Sequence, residues 1–346
     1  MAETYESTET SLVTDEPIPE SESKYRPNPE APAEPIPDWP IAREKWGFAW
    51  HFHHYGIAAA FLLVAAFVLF VLIRTQRAKS RNHKQRWIQI IVLSLLFIFN
   101  TTRSVSMFVD PYNSRKILPR PLLQFLWGLG HPCIITAYAL IFVILKNALL
   151  LKQKFQNWYT AKNIALVTVP YFLFVFAGEL IFGFSPQLKG IAFACQFLYV
   201  VFGFALSGFY TFIALLLWWK LGYLNKVTKQ RGQRTRSIFR ICVATATGGF
   251  VLCGLQCYGM AEVYGVTSNE KFADPWPWFA IHTALRLLEL YLGVMLYFVS
   301  TQNSGGSVKK IEVAPITLTH SGQGKMEKEH KKEESITEIQ LSIERS

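Results

Sequence analysis

His282, Arg286 and Glu289 stand four and three residues apart, a spacing that aligns side chains on one face of a helix. The stretch that carries them, WPWFAIHTALRLLELYLGVMLYFV, is otherwise apolar. An imidazole, a guanidinium and a carboxylate so arranged could pass a proton or ion, or touch a polar ligand. They could equally form an internally neutralised Arg–Glu pair that fixes the helix in register, and that structural reading is the default. Charge in an apolar span is costly, so each such residue needs a partner or a role. His131, in the run GLGHPC, lies at a similar depth in another apolar stretch and could meet this face. It could instead be a core histidine with satisfied hydrogen bonds. Pro132 beside it lacks an N–H, which predicts a kink.

Arg103 and Glu179 fall in the outer halves of two further stretches. With Asn100 and Ser104, Arg103 makes a polar stripe at helical spacing. The stripe could line a cavity open to the outside, or Arg103 could snorkel to the surface. His51, His53 and His54 crowd the start of the first stretch. A metal site is one reading; a polar interfacial cap is the simpler one, because no matching ligand cluster occurs in the outer loops. Glu262 reads as an interfacial residue.

These residues need long apolar elements to hold them. Seven occur, near 53–73, 87–108, 122–145, 163–184, 190–217, 238–261 and 277–299. A helix rising 1.5 Å per residue needs about 20 residues to cross roughly 30 Å of hydrocarbon. The expected fold is therefore an all-α integral membrane protein, a seven-transmembrane helix bundle with disordered termini. Only 17% of the 346 residues are charged, against about 25% in soluble domains.

The charge of the loops sets direction. RTQRAKSRNHKQR after the first span and KLGYLNKVTKQRGQRTR after the fifth are strongly basic. Lys146, Lys152, Lys154 and Lys162 surround the third-to-fourth connection. The loops near 109–120, 185–189 and 262–276 are mixed. Positive charge stays in the cytosol, so the amino terminus is expected outside or in a lumen and the carboxyl terminus inside. The plasma membrane is the default location. The net charge of +11 then reflects topology and anionic lipid at the cytosolic face, and nucleic acid is not an expected partner. Trp46, Trp50, Trp276 and Trp278 are expected at the outer interface, and Trp87, Trp158, Trp218 and Trp219 at the inner one.

Residues 1–45 are rich in Pro, Glu and Ser and read as a disordered outer tail. Residues 46–300 form the membrane domain, and 301–346 a disordered cytosolic tail. The five cysteines lie in or beside apolar spans, which predicts no extracellular disulfide framework. Cys253 and Cys257 read as small apolar packers. Thr245 and Gly249, Ala244 and Gly248, and Gly203 and Ser207 repeat at four-residue intervals and suggest close helix contacts. Packing within one chain is the default; a homodimer face is the alternative. The third span ends in ILKNALLL and the seventh in YLGVMLYFVSTQ, without the marks of rhodopsin-like receptors. The seventh span carries no Lys for a Schiff base.

The junction TTRSVSMFVDPYNSRKILPRPLLQFLWGLGHPC is the most distinctive piece. Arg103, then Asp110-Pro111-Tyr112, a basic residue, Leu-Pro and a span opening on Leu-Leu resemble the membrane domain of the proline-rich transmembrane proteins of types 3 and 4. The resemblance implies a membrane location and no assigned activity. Asp110-Pro111-Tyr112 also makes sense as a structural turn, with Tyr112 anchored at the interface and Asp110 paired to Arg103 or Arg115.

The sequence thus predicts a non-enzymatic, receptor-like or adaptor-like protein without cofactor or metal. Its outer cavity would be bounded by Arg103, Glu179 and the seventh span, and its basic loops and carboxyl-terminal tail would meet a cytosolic protein. The contrary expectation is an ion- or proton-coupled transporter or channel with its relay on the seventh span.

Overall fold

A run of apolar residues long enough to cross a bilayer must satisfy its own backbone there, and a helix does so within one segment. In the computed structural model, which describes residues 36–77, 83–149, 160–185, 188–227, 229–260 and 273–302, the chain is helical in this way. A short helix α1 (Trp39–Trp46) precedes the first span. That span comprises α2 (Phe48–His51), a π turn (Phe52–Gly56) and α3 (Ile57–Arg77). The other spans are α4 (His83–Val109), α5 (Arg120–Leu149), α6 (Ala161–Phe184), α7 (Lys189–Val227), α8 (Lys229–Tyr258) and α9 (Pro275–Gln302). Seven helices among the described residues are long and apolar enough to span a bilayer. The protein is an all-α, multi-pass membrane bundle.

Helix α5 is the axis. Cys133, Ile134, Ile135, Ala137, Tyr138 and the run Leu140–Leu145 are all buried. Neighbours pack in chain order, except that α6 and α7 touch less, and α9 closes the bundle against α3, α4, α5 and α8. Large apolar side chains such as Leu166, Leu173, Phe184 and Trp219 point outward, as a lipid-facing surface requires. Helix α5 continues through Pro132, and α6 through Pro170.

Three differences from the sequence reading concern the ends of the spans. The basic segment 219–237, expected as a loop, is mostly helical, with α7 running to Val227 and α8 starting at Lys229. Its charged residues have good helix propensity, which hydropathy does not register. Upstream, 39–46 is helical rather than part of a featureless tail. Trp46, Trp50 and Trp278 are buried against one another instead of standing in an interfacial belt. Trp87, Trp218, Trp219 and Trp276 do remain exposed. The tails 1–35 and 303–346, Trp158 and Glu262 lie outside the described residues.

The small residues let α7, α8 and α9 approach closely. A Cβ on Gly249 would stand 2.2 Å from Ser207 Oγ, one on Gly203 2.6 Å from Cys253 Sγ, and one on Gly248 2.5 Å from a Tyr291 ring carbon. These faces are therefore occupied within the chain. Gly249→Ala should push α7 and α8 apart at a cost of about 1–3 kcal/mol, partly offset by the better helix propensity of Ala. Thermal melting in detergent checks this; an unchanged or raised Tm would contradict the close contact.

Candidate functional site

Helix α9 carries His282, Arg286 and Glu289 on one face, as their spacing predicts. All three are buried. Counted from Trp278, Glu289 lies about 16 Å along the helix. The Arg286 guanidinium donates to Glu289 Oε2 over 2.6 Å. The same oxygen accepts from Arg103 Nε of α4 at 3.0 Å, and Arg103 Nη2 reaches Glu289 Oε1 at 3.3 Å. One carboxylate thus serves two guanidinium groups from different spans. Arg103 is 0% exposed and Glu289 2%. The snorkelling alternative for Arg103 is overturned, because an ion pair at depth satisfies it better than a stretch to the surface.

Helix α5 makes room for the pair. Arg103 Nη1 donates to the Trp127 carbonyl at 2.9 Å. The Trp127 ring lies 4.6 Å from Arg103 Cζ and 4.7 Å from Arg286 Cζ, so both cations rest on one indole, its most favourable aromatic partner. A Cβ on Gly130 would come within 3.0–3.2 Å of the Arg103 guanidinium. One on Gly128 would stand 2.4 Å from Glu179 Cγ. The two glycines of GLGHPC therefore admit the two charged side chains. His131 Nε2 lies 3.8 Å from Glu289 Oε1, beyond hydrogen-bond reach, and its ring packs 4.6 Å from that of Tyr199.

Above this cluster, toward the end where the first span begins, lies a cavity of about 210 Å³. Arg286, His282 and His131 stand in its deeper wall. Glu179, Arg120 and Gln124 line another side, and Gln256 donates to Gln196 Oε1 at 3.2 Å across it. Arg103 does not line the space; it stands behind Trp127 and Glu289. Of the three expected boundaries, Glu179 and the seventh span remain, and Trp127 takes the place of Arg103.

The turn between the second and third spans forms the cavity's rim. Asp110 is fully buried. It accepts backbone hydrogen bonds from Arg115 (2.9 Å), Ile117 (2.8 Å) and Leu118 (3.3 Å), and these replace the expected pairing with an Arg side chain. A carboxylate that collects three N–H groups shapes a loop more tightly than an ion pair would. Within it Tyr112, Asn113 and Lys116 all take left-handed φ values of 57°, 57° and 55°, an unusual conformation for residues with a Cβ. Pro111 starts the short 3-10 turn Pro111–Asn113. Its geometry turns Tyr112 inward, away from the interface at which it was expected. The Tyr112 ring stacks 5.3 Å from Trp127 and meets Trp278 and His282 edge-on at 4.9 and 5.0 Å.

Replacing Asp110 with Ala leaves those N–H groups without their acceptor. The expected cost is about 2–3 kcal/mol, with faster tryptic cleavage after Arg115 and Lys116. Wild-type melting and cleavage in the variant would contradict the loop's dependence on Asp110.

His53 and His54 are buried, not an interfacial cap. The π turn adds a residue to that helical turn, a device often found at functional sites, and both neighbours face inward. His53 shares hydrogen bonds with Thr283 Oγ1 (2.8 Å) and Tyr112 OH (3.2 Å). His54 Nε2 donates to the Phe108 carbonyl at 3.2 Å, and its Nδ1 accepts from Arg115 at 3.3 Å.

Helix α1 lies beside the rim. Gly47 ends it with φ 48° and donates to the Arg43 carbonyl at 3.0 Å, as glycine does past a helix end. Trp46 Nε1 donates to the Pro275 carbonyl at 3.2 Å, and Arg43 donates to the Ser114 carbonyl. Ala273 N–H donates to the Ile36 carbonyl at 3.2 Å, and Ile36 itself lines the cavity.

Of the parts that complete the site, Trp127 and the paired glutamines carried no charge to mark them within apolar runs, and Tyr112 was marked only as part of a turn. Gly128 and Gly130, two residues apart beside His131, were the available sign of a close approach on that helix.

Two comparisons bear on this architecture. A family model described as "Proline-rich transmembrane protein 3 domain" matches residues 24–312. The chain is 26% identical over 292 residues to Proline-rich transmembrane protein 4 of Mus musculus, covering 77% of this chain and 31% of that protein. It is 26% identical over 278 residues to the Homo sapiens protein of the same name, covering 75% and 30% respectively. The chain spans about a third of the length of these curated relatives.

Proposed function

The chain belongs to the proline-rich transmembrane protein family, and on that footing we propose that it is a non-enzymatic, receptor-like or adaptor-like membrane protein. It binds a small polar ligand in the cavity lined by the third to seventh spans. The reading is carried by the way the cavity ends. Its floor is Arg286, locked to Glu289, and beyond them Leu292, Leu296 and Val299 of α9 pack with Val92, Leu93 and Leu96 of α4. A pocket open at one end with packed apolar core beneath it suits recognition better than passage. The long His131–Glu289 separation also favours recognition, since a proton relay works through hydrogen bonds.

The alternation of basic and mixed loops favours an amino terminus, and with it the cavity, on the outer or lumenal side. The basic loops and the carboxyl-terminal tail then face the cytosol, where anionic lipid and a protein partner meet them. The plasma membrane is the location we propose.

The test is ion and proton flux in proteoliposomes holding the purified chain, beside capture of cytosolic proteins on its tail and inner loops. No flux and saturable partner capture are expected. Flux that disappears in a folded Glu289→Gln variant would overturn this reading and make the protein a transporter or channel.

A further inference from the structure

We infer that the cavity takes a small organic monocarboxylate, held by Arg286 at its floor and Arg120 at its rim. This rests on the ligand-binding reading above and names its ligand class.

The first support is the charge count. Among the described residues, two buried guanidinium groups at the floor and just behind it (Arg103 and Arg286) share one buried carboxylate (Glu289), half-buried Arg120 and Glu179 on the walls offset one another, and Asp110 in the rim turn is taken up by its three backbone N–H groups. At the floor, positive charge exceeds negative by one before either imidazole is counted. Buried charge is costly until it is balanced. A monoanion balances this site, whereas a cation adds to the excess.

The second support is geometry. Arg286 is held in place: Nη1 is bound to Glu289, and Cζ lies over the Trp127 ring, 4.7 Å from its centroid. A held, planar fork suits a carboxylate and has little freedom left to lose on binding. The Gln196–Gln256 amide pair offers polar contacts, and Trp127, Trp278 and Tyr112 provide flat apolar walls. The volume, about 210 Å³, is below the roughly 300–1,000 Å³ usual for drug-sized ligands, which points to a small acid rather than a peptide.

The experiment places the full chain in nanodiscs of neutral phosphatidylcholine and titrates benzoate, its neutral isostere benzamide, and benzylammonium. Intrinsic tryptophan fluorescence and Tm are read. Benzoate should saturate at a concentration at least about tenfold below that of the other two probes. Arg286→Gln keeps the Arg103–Glu289 pair and should reduce benzoate to the level of benzamide. Arg120→Gln, at the rim, should weaken benzoate several-fold and serves where the deeper variant does not fold.

Equal or tighter binding of benzamide or benzylammonium overturns the carboxylate assignment and leaves the ligand cavity standing. Loss of benzoate binding in discs containing phosphatidylserine assigns the site to a lipid headgroup and overturns the small-molecule assignment. No saturable binding of any probe overturns both this inference and the ligand-binding reading on which it rests.

Discussion

Glu289→Gln is expected to be the most damaging single substitution in the membrane domain. The carboxylate is the shared counter-charge of Arg103 and Arg286, bound at 3.0 and 2.6 Å. A neutral amide leaves two guanidinium groups in a low-dielectric interior. Removing one partner of a buried ion pair costs about 3–5 kcal/mol, and here two cations lose their partner together. We expect a sharp fall in folded, monodisperse protein on size exclusion.

The two-to-one stoichiometry predicts an order of damage. Glu289→Gln should be worst. Arg103→Gln should follow, since it removes the ion pair between α4 and α9 and leaves a space beside Trp127. Arg286→Gln should be mildest, because the pair that survives it, Arg103 with Glu289, still joins two helices. Replacing all three by Leu or Met should restore folding, as apolar substitutes for buried ion clusters are often neutral or stabilising by about 1–4 kcal/mol. If Glu289→Gln melts like wild type, the cluster does not hold the bundle together. If the triple variant folds but no longer binds ligand, the charges serve recognition rather than register.

The second large effect is expected from Trp278→Ala. This indole is buried among Trp39 (5.4 Å between ring centroids), Trp46 (5.8 Å), Tyr112 (4.9 Å) and His282 (4.0 Å). Truncating a buried Trp typically costs about 3–5 kcal/mol, so the loss here should approach that range. It should also be local. The Trp39–Trp46 amides should exchange with deuterium much faster, while those of the central span α5 keep their protection. Uniform loosening of all spans, or an unchanged α1, would contradict the assignment of Trp278 as the anchor of that helix.

The spans were legible in the sequence because bilayer thickness imposes a length on every one of them. The α9 face was legible for a similar reason, since helical period alone puts His282, Arg286 and Glu289 in line. Period within one helix does not tell which other helix supplies a partner, so the bond from Arg103 to Glu289 had to be seen in three dimensions. His53, His54 and Trp46 misled for another reason. Near a span's end, an interfacial side chain and one covered by a neighbouring helix have the same composition. Only the fold of α1 and of the Asp110 turn over that end distinguishes them. The basic segment after the fifth span shows the same limit, because charge was taken to mark a loop where it decorates a helix.

The pairing of Arg103 with Glu289 also has a consequence for biosynthesis. The chain emerges amino terminus first, so the second span enters the membrane long before the seventh. Arg103 must then wait in lipid, or in the insertion machinery, without the carboxylate that will neutralise it. The seventh span is the least apolar of the seven, and Arg286 and Glu289 each add to its insertion cost when it arrives alone. Its stable entry therefore depends on an already assembled partner. A chain that stops before Glu289 would leave an orphaned guanidinium inside the bilayer, a mark by which quality control could tell an incomplete bundle from a finished one.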